Sequence, residues 1–329
     1  VDLMARISKS SGRPVSFTMV ELDEQPDRWR AVLDWVDEVN ADDGTVLVPQ
    51  VFPRPVGMIV GHDLSTNPFA LTPTYQSLIN LPLVQRMEAL RTPDIKARIL
   101  VEAPADSKLP LMLLARQFDR TFTISDPPEY EPDLATSIAA QAGALGLSAE
   151  EFAYDLLLED DGRSMLFVAL TNFSTGSLDP TLAMIKHPAT VLGLGDGGAH
   201  YGLICDASYP SFVLTHWTRD RKGEKLTLVQ AVKALSADTA RLVGLTDRGV
   251  IAPGKKADLN IIDYDRLRLR KPYVTYDLPA GGRRLNQAAS GYLWTLVNGR
   301  PVLRDDEPTG ILPGTLVRAS LPSASGNLL

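Results

Sequence analysis

The chain has 329 residues, of which 44% are hydrophobic and 22% are charged, so its composition is neither collagen-like, coiled-coil nor disordered. Acidic residues outnumber basic ones by 40 to 33, giving a net charge of −7, which argues against a broad nucleic-acid or anionic-membrane surface. No apolar run approaches the roughly 20 residues that span a membrane. The single cysteine, Cys205, cannot form an intrachain disulfide. We expect a cytoplasmic protein with no nucleic-acid and no membrane partner.

The first residues already follow a helical pattern. Val1, Met4 and Ile7 recur at helical spacing, and no capping residue precedes them. We therefore expect the chain to be a fragment of a longer polypeptide that begins inside a helix. Removal of a tag or pro-segment is the alternative, although such cuts usually fall in loops.

The first third of the chain alternates strand and helix. Residues 15–20 are β-branched and aromatic, apolar residues recur at helical spacing over 29–39, and residues 45–48 are an apolar run. This order predicts a βαβ unit, whose strands are parallel. The following residues, 53–74, are rich in Pro, Gly, Asn and Thr. We expect them to be a long loop at the C-terminal end of a strand, where barrel enzymes build their sites.

The middle of the chain is mostly helical in pattern. This pattern extends over residues 79–184, and a short apolar strand is expected over residues 190–195. Two helices are then expected on either side of Ser236, which is a suitable N-cap for the second.

The pattern changes near residue 245. Short strands then alternate with turn residues, and Asn298-Gly299 between two apolar runs indicates a hairpin. We therefore predict two domains, an alternating α/β domain over residues 1–245 and a small β domain over residues 246–329.

The strongest candidate for chemistry is Asp196, which ends the strand predicted over residues 190–195 and has glycines on both sides. Amide hydrolysis at neutral pH needs a nucleophilic water, and bound Zn²⁺ lowers the pKa of such a water from roughly 15.7 to about 7. A carboxylate that touches metal and water can take the proton of the water and pass it to the leaving nitrogen. The alternative role for Asp196 is to cap the turn after the strand.

Other candidates lie in loops that follow predicted strands. Gln50, Arg54 and His62 come after the strand at residues 45–48, and an arginine there could bind a substrate carboxylate with two hydrogen bonds. His200 could contact a metal, polarise a substrate carbonyl or bond a loop carbonyl. The chain has four histidines, and no two of them form an H-x-H pair.

Gly193, Gly195 and Gly198 match the Gly-x-Gly-x-x-Gly pattern of dinucleotide-binding loops. Such a loop needs a helix directly after it, whose N-terminus faces the pyrophosphate. Here the glycines begin inside the strand and no clear helical pattern follows. The pattern therefore does not favour a nucleotide site.

Three short segments in the second half of the chain have a recognisable residue order. They read Val-Leu-Gly-Leu-Gly-Asp-Gly-Gly-Ala-His over residues 191–200, Arg-Gly-Val-Ile-Ala-Pro-Gly-Lys-Lys-Ala-Asp-Leu over 248–259 and Val-Asn-Gly over 297–299. Together they resemble the C-terminal part of the amidohydrolase superfamily, in its D-aminoacylase (N-acyl-D-amino-acid deacylase) branch. Residues 12–18 and 49–55 resemble middle barrel strands of the same branch.

The resemblance implies an α/β fold, the later half of a (β/α)8 barrel of the TIM type, followed by strands of a small β-sandwich. It also implies one or two zinc ions, with most ligands in an N-terminal half of the same protein. Asp196 matches the metal-associated catalytic base of the family. Two middle strands of that branch supply histidine ligands, whereas Phe17-Thr18-Met19 and Pro49-Gln50-Val51 contain none.

The resemblance further implies metal-dependent hydrolysis of a non-peptide amide C–N bond. The favoured substrate is an N-acyl-D-amino acid or a similar small acylated amine. A cyclic amide or imide hydrolase of the dihydroorotase or hydantoinase type is the alternative enzyme. A non-catalytic half-barrel that completes the barrel of a partner chain is the alternative from a different class, and homo-oligomerisation is left open.

Overall fold

The computed structural model describes residues 2–42, 44–105, 110–193 and 200–318. The helices within them are α1 (Asp2–Ser11), α2 (Arg28–Asn40), α3 (Pro73–Leu78), α4 (Leu83–Leu90), α5 (Pro93–Val101), α6 (Pro110–Leu113), α7 (Ile138–Leu145), α8 (Ala149–Leu157), α9 (Asp179–Lys186), α10 (Tyr209–Thr215), α11 (Leu228–Lys233) and α12 (Thr239–Leu242). The strands are β1 (Val15–Met19), β2 (Leu47–Val51), β3 (Val56–Gly61), β4 (Thr121–Thr123), β5 (Met165–Thr171), β6 (Val191–Leu192), β7 (Leu259–Ile262), β8 (Arg268–Leu269), β9 (Tyr273–Leu278), β10 (Gly282–Asn286), β11 (Ala289–Ser290), β12 (Tyr292–Val297), β13 (Arg300–Arg304) and β14 (Glu307–Pro308).

The strands β1, β2 and β6 form a parallel sheet in that order. The helix α2 connects β1 to β2, and α9 precedes β6, so the predicted βαβ unit is confirmed. Side chains of a strand alternate between its two faces. One face packs against these helices through a buried cluster that includes Met19, Trp29, Leu33, Val51 and Met184.

A second, antiparallel sheet is formed by β3, β5 and β4. The expectation of a long loop is therefore wrong over Val56–Gly61, which pairs with Met165–Thr171 along its whole length. Met58 and Val60 lie in one buried cluster, and Ile59 lies in another. Because β3 is covered on both faces, its sequence is apolar throughout and carries no alternation that would mark a strand.

The C-terminal region is antiparallel. It contains the sheet β14-β13-β12-β7 and the pairs β9–β10 and β8–β11. The hairpin predicted at Asn298-Gly299 is confirmed, since β12 and β13 pair on either side of it and both turn residues have positive φ angles, 51° and 75°. The mixed α/β class is thus confirmed.

Across the part of the chain that the structure describes, every helix is too short or too polar to cross a lipid bilayer.

Candidate functional site

The candidate site is the C-terminal edge of the parallel sheet. Because the three strands are parallel, the ends of β1, β2 and β6 meet at this edge. The chain leaves β6 through Gly193 and then enters residues 194–199. Asp196, the predicted catalytic and metal-binding residue, lies outside the described residues, and so its role stays a prediction.

A buried asparagine joins the loops that follow β1 and β2. The Asn172 Oδ1 atom accepts a hydrogen bond from the backbone N–H of Glu21 at 2.8 Å, and its Nδ2 donates to the carbonyl of Phe52 at 3.1 Å. Its own backbone N–H donates to the carbonyl of Glu21 at 3.1 Å. Asn172 is fully buried and has a φ of 63°. It thereby fixes two strand ends relative to each other.

Gln50 lies on the face of β2 that is turned away from α2. It stands opposite Thr18 of β1 and Val191 of β6 in the sheet register. Its Nε2 donates to the Ser16 hydroxyl at 2.7 Å. This face of the sheet therefore presents neutral polar side chains beside the end of β6.

Arg54 is buried, with 1% of its surface exposed. Its Nη2 donates to Asp206 Oδ1 and to the carbonyl of Cys205, each at 2.6 Å. Its guanidinium lies 4.0 Å from the centre of the Tyr130 ring. Arg54 thus links the end of β2 to the segment that follows His200. Its contact with a substrate carboxylate stays a prediction.

His62 is also buried, with 1% of its surface exposed. Its Nδ1 hydrogen-bonds to the Tyr75 hydroxyl at 2.9 Å, and its carbonyl accepts from Arg86 Nη2 at 2.6 Å. Burial, and secondarily the charge of Arg86, lowers the pKa of His62 to about 3. Its imidazole is therefore neutral at physiological pH.

His200 is exposed and has a φ of 55°. Its carbonyl accepts hydrogen bonds from the N–H groups of Leu203 and Ile204 at 2.8 and 3.0 Å. Within the described residues, no hydrogen bond or ion pair joins any two of Gln50, Arg54, His62 and His200. The structure places Gln50 and Arg54 on the same strand-and-loop unit. It places His62 in the core beyond β3.

The segment that follows His200 lines a cleft of about 420 Å³, whose wall includes Cys205, Asp206, Ser208, Arg284 and Gln287. Burial raises the pKa of the Cys205 thiol to about 11, so the thiol is protonated at neutral pH and is a poor nucleophile. We infer that any chemistry at this edge of the sheet does not use Cys205 as a nucleophile.

The zinc that the resemblance implies finds no ligand set among the described residues. No three His, Cys, Asp or Glu side chains there gather closely enough to hold a metal ion. On the face of β1 and β2 that is turned away from α2, the side chains of Ser16, Thr18 and Gln50 are hydroxyls and an amide, whereas zinc prefers imidazole, thiolate and carboxylate. The described residues do not fit a zinc centre by themselves.

Comparison with known proteins supports the resemblance. A family model described as the amidohydrolase family matches residues 1–303. An N-acyl-D-glutamate deacylase of Alcaligenes xylosoxydans xylosoxydans is 37% identical over 98 residues, which are 30% of this chain and 18% of that protein.

Two solved structures of D-aminoacylase also match. One, described as defining a novel subset of amidohydrolases, is 18% identical with a TM-score of 0.48, and the match covers 94% of this chain and 51% of that chain. The other, a study of the binuclear metal centre of D-aminoacylase, is 19% identical with a TM-score of 0.47 and the same coverage. The chain thus spans about half the length of these structures. Because the family model matches nearly all of its sequence, the chain belongs to the amidohydrolase family.

Proposed function

We propose that the chain is part of a hydrolase that cleaves a non-peptide amide C–N bond, with an N-acyl-D-amino acid as the substrate. The match of residues 1–303 to the amidohydrolase family carries this proposal. The local identity to an N-acyl-D-glutamate deacylase supports the choice of an acylated D-amino acid. Both the activity and the substrate concern the whole protein, of which this chain supplies one part.

We also propose that β1, β2 and β6 are neighbouring strands of a (β/α)8 barrel, and that the antiparallel strands from β7 onward belong to a β-sandwich. The parallel order and the helices packed on one face support the first part. The further barrel strands would come from an N-terminal half of the same protein.

In this proposal Asp196 acts as the general base. Its carboxylate takes a proton from the attacking water, whose oxygen bonds to the acyl carbon. The same proton then passes to the leaving nitrogen, the C–N bond breaks, and a carboxylic acid and an amine are released. A zinc ion would need ligands beyond the described residues, and no step here depends on one.

The test is Asp196→Asn, which keeps the size of the side chain but cannot accept the proton. General-base contributions are roughly 10²–10⁴-fold, so we expect kcat to fall by at least about 100-fold while Tm stays within about 2 °C. Activity and thermal midpoint are measured on the same preparation.

The matched control is Asp42→Asn, because Asp42 forms an exposed ion pair with Lys9 and its side chain is 59% exposed. We expect this variant to keep normal kcat and Tm. Near-normal turnover of Asp196→Asn together with a lower Tm would instead show that Asp196 caps a turn.

A further inference from the structure

The side chains of Ser16 and Gln50 form a hydrogen-bond relay across β1 and β2. The Ser16 hydroxyl donates to the carbonyl of Val48 at 2.9 Å, and Gln50 Nε2 donates to the Ser16 oxygen at 2.7 Å. A hydroxyl has one proton to donate. Because Ser16 gives its proton to Val48, the Gln50 atom beside it must be the amide nitrogen. The relay therefore determines which way the Gln50 amide points.

The amide oxygen of Gln50 is directed toward the start of the segment that leaves β6. The backbone N–H of Gly193 donates to the carbonyl of Val51 at 3.0 Å, which holds Gly193 against β2. A Cβ atom at Gly193 would lie 2.5 Å from Gln50 Oε1, so the glycine leaves room for the oxygen in this direction. Among the described residues, no donor hydrogen-bonds to this oxygen.

The chain thus holds a half-buried carbonyl acceptor in a fixed direction beside Gly193, the residue that follows β6. A fixed acceptor recognises a donor. In an acylated amino acid, the amide N–H is the donor next to the bond to be broken. An ester of the same shape has an oxygen there, which would face Gln50 Oε1 with no proton between them.

We propose that Gln50 Oε1 accepts a hydrogen bond from the amide N–H of the substrate, and that Gln50 thereby selects secondary amides over the corresponding esters. This inference rests on the proposed function, and it attributes the choice of substrate class to the Gln50 Oε1 atom. A site that is built around a hydrogen bond rejects the analogue that lacks the donor, because a polar group is then left unpaired. We expect a preference of roughly 10–100-fold.

The experiment measures binding by titration calorimetry in the Asp196→Asn background, so that turnover does not interfere. The probes are N-acetyl-D-glutamate and its ester counterpart, (R)-2-acetoxyglutarate. We expect the amide to bind roughly 10–100-fold more tightly. Gln50→Met, which keeps the length of the side chain but removes the oxygen, should bring the two affinities to within about threefold by weakening the amide alone.

Ser16→Ala is the second variant, and it keeps the proposal testable if Gln50→Met folds poorly. It removes the relay but leaves the Gln50 oxygen, so the preference should fall by about 3–10-fold. The matched control is Ser10→Ala, because Ser10 is an exposed residue of α1. This variant should keep the preference for the amide over the ester unchanged.

Three results overturn the proposal: equal binding of the two compounds, equal weakening of both by Gln50→Met, or no binding of either. Turnover of the same amide by the Asp196 form is measured separately and tests the proposed function. If the amide is hydrolysed but is not bound in preference to the ester, only the role of Gln50 is contradicted. If the Gln50-dependent preference is found but the amide is not hydrolysed, only the proposed hydrolase activity is contradicted.

Discussion

A buried hydrogen bond joins His62 to Tyr75. The Tyr75 hydroxyl accepts a hydrogen bond from Asn67 Nδ2 at 2.8 Å and is hydrogen-bonded to His62 Nδ1 at 2.9 Å. The other ring nitrogen, Nε2, is buried and has no hydrogen-bond partner among the described residues. A second proton on this imidazole would place a buried positive charge close to that of Arg86.

This arrangement predicts a loss of stability at mildly acidic pH. The pKa of His62 is about 3 in the folded chain and about 6.5 when unfolded, so only the unfolded chain takes up the proton as pH falls. The stability contributed by neutral His62 is complete above pH 6.5 and is lost as pH falls from 6.5 toward 3. Its slope approaches about 1.4 kcal/mol per pH unit. Urea unfolding between pH 7 and pH 5 measures it.

His62→Asn should remove this slope, since Asn offers an acceptor to Tyr75 but does not titrate. His200→Asn is the control, because His200 is exposed and asparagine tolerates its positive φ. Glu131 does not disturb this pH range. Its burial raises the pKa, but hydrogen bonds from His216 and Arg221 lower it to about 2, so its contribution is lost only below about pH 4.5. An unchanged slope in His62→Asn would show that the loss of stability at acidic pH does not come from His62.

The sequence indicated some of the site residues but not their partners. The apolar run at residues 45–48 predicts the parallel strand, but Gln50, expected in the loop after it, lies within β2, which extends to Val51. The partners Asp206 and Asn172 could not be found in this way, since Asp206 is 152 residues from Arg54 and Asn172 is 151 residues from Glu21. A contact over such a separation leaves no local pattern in the sequence.

At the scale of elements, the helices and strands with local signals were predicted and the others were not. The βαβ unit and the hairpin at Asn298-Gly299 have such signals. Ser236 was expected to begin a new helix, but it lies within a π-helical turn, Ala234–Asp238, that connects α11 to α12. The wider turn accommodates an extra residue without ending the helix, so the chain needs no cap there.

Two glycines of different elements should respond to alanine in opposite directions. A Cβ at Gly57 of β3 would collide with the Val168 carbonyl and the Phe167 ring, whereas a Cβ at Gly143 of α7 would meet no atom within 4 Å. We expect Gly143→Ala to raise the free energy of unfolding by about 0.5–1 kcal/mol, because glycine weakens a helix interior by that amount. We expect Gly57→Ala to lower it by roughly 1–3 kcal/mol.

Denaturant unfolding of both variants measures these changes. Equal m-values would show that the same cooperative unit unfolds in each case. A stable Gly57→Ala chain would mean that β3 and β5 do not approach as closely as described.

At the scale of the molecule, the parallel sheet formed by the described residues has two open edges. Within the described residues, β1 and β6 each pair with a strand on one side only. An open edge offers unpaired backbone N–H and C=O groups to another chain. The exposed apolar side chains of α11, Leu228, Val229 and Val232, add a surface that water solvates poorly.

We therefore expect the chain on its own to associate, either with further copies or with a chain that supplies more parallel strands. Gel filtration with light scattering should give a mass above that of one chain, and this mass should rise with concentration. A single monomeric species at all concentrations would contradict the open sheet. The same result would also argue against the alternative function, in which the chain only completes the barrel of a partner chain.

The pairing of Gly61 with Met165 has a consequence for the history of the fold. The polypeptide between these two residues leaves and re-enters the sheet at adjacent points, and it also supplies β4 and the side chains that bury one face of β3 and β5. It therefore cannot be lost as a unit without exposing that face. The length of its exposed connections is less constrained, since closing a longer or shorter loop changes its entropy only slowly with length. Insertions and deletions can therefore accumulate in these connections while the order and register of the parallel strands are inherited unchanged.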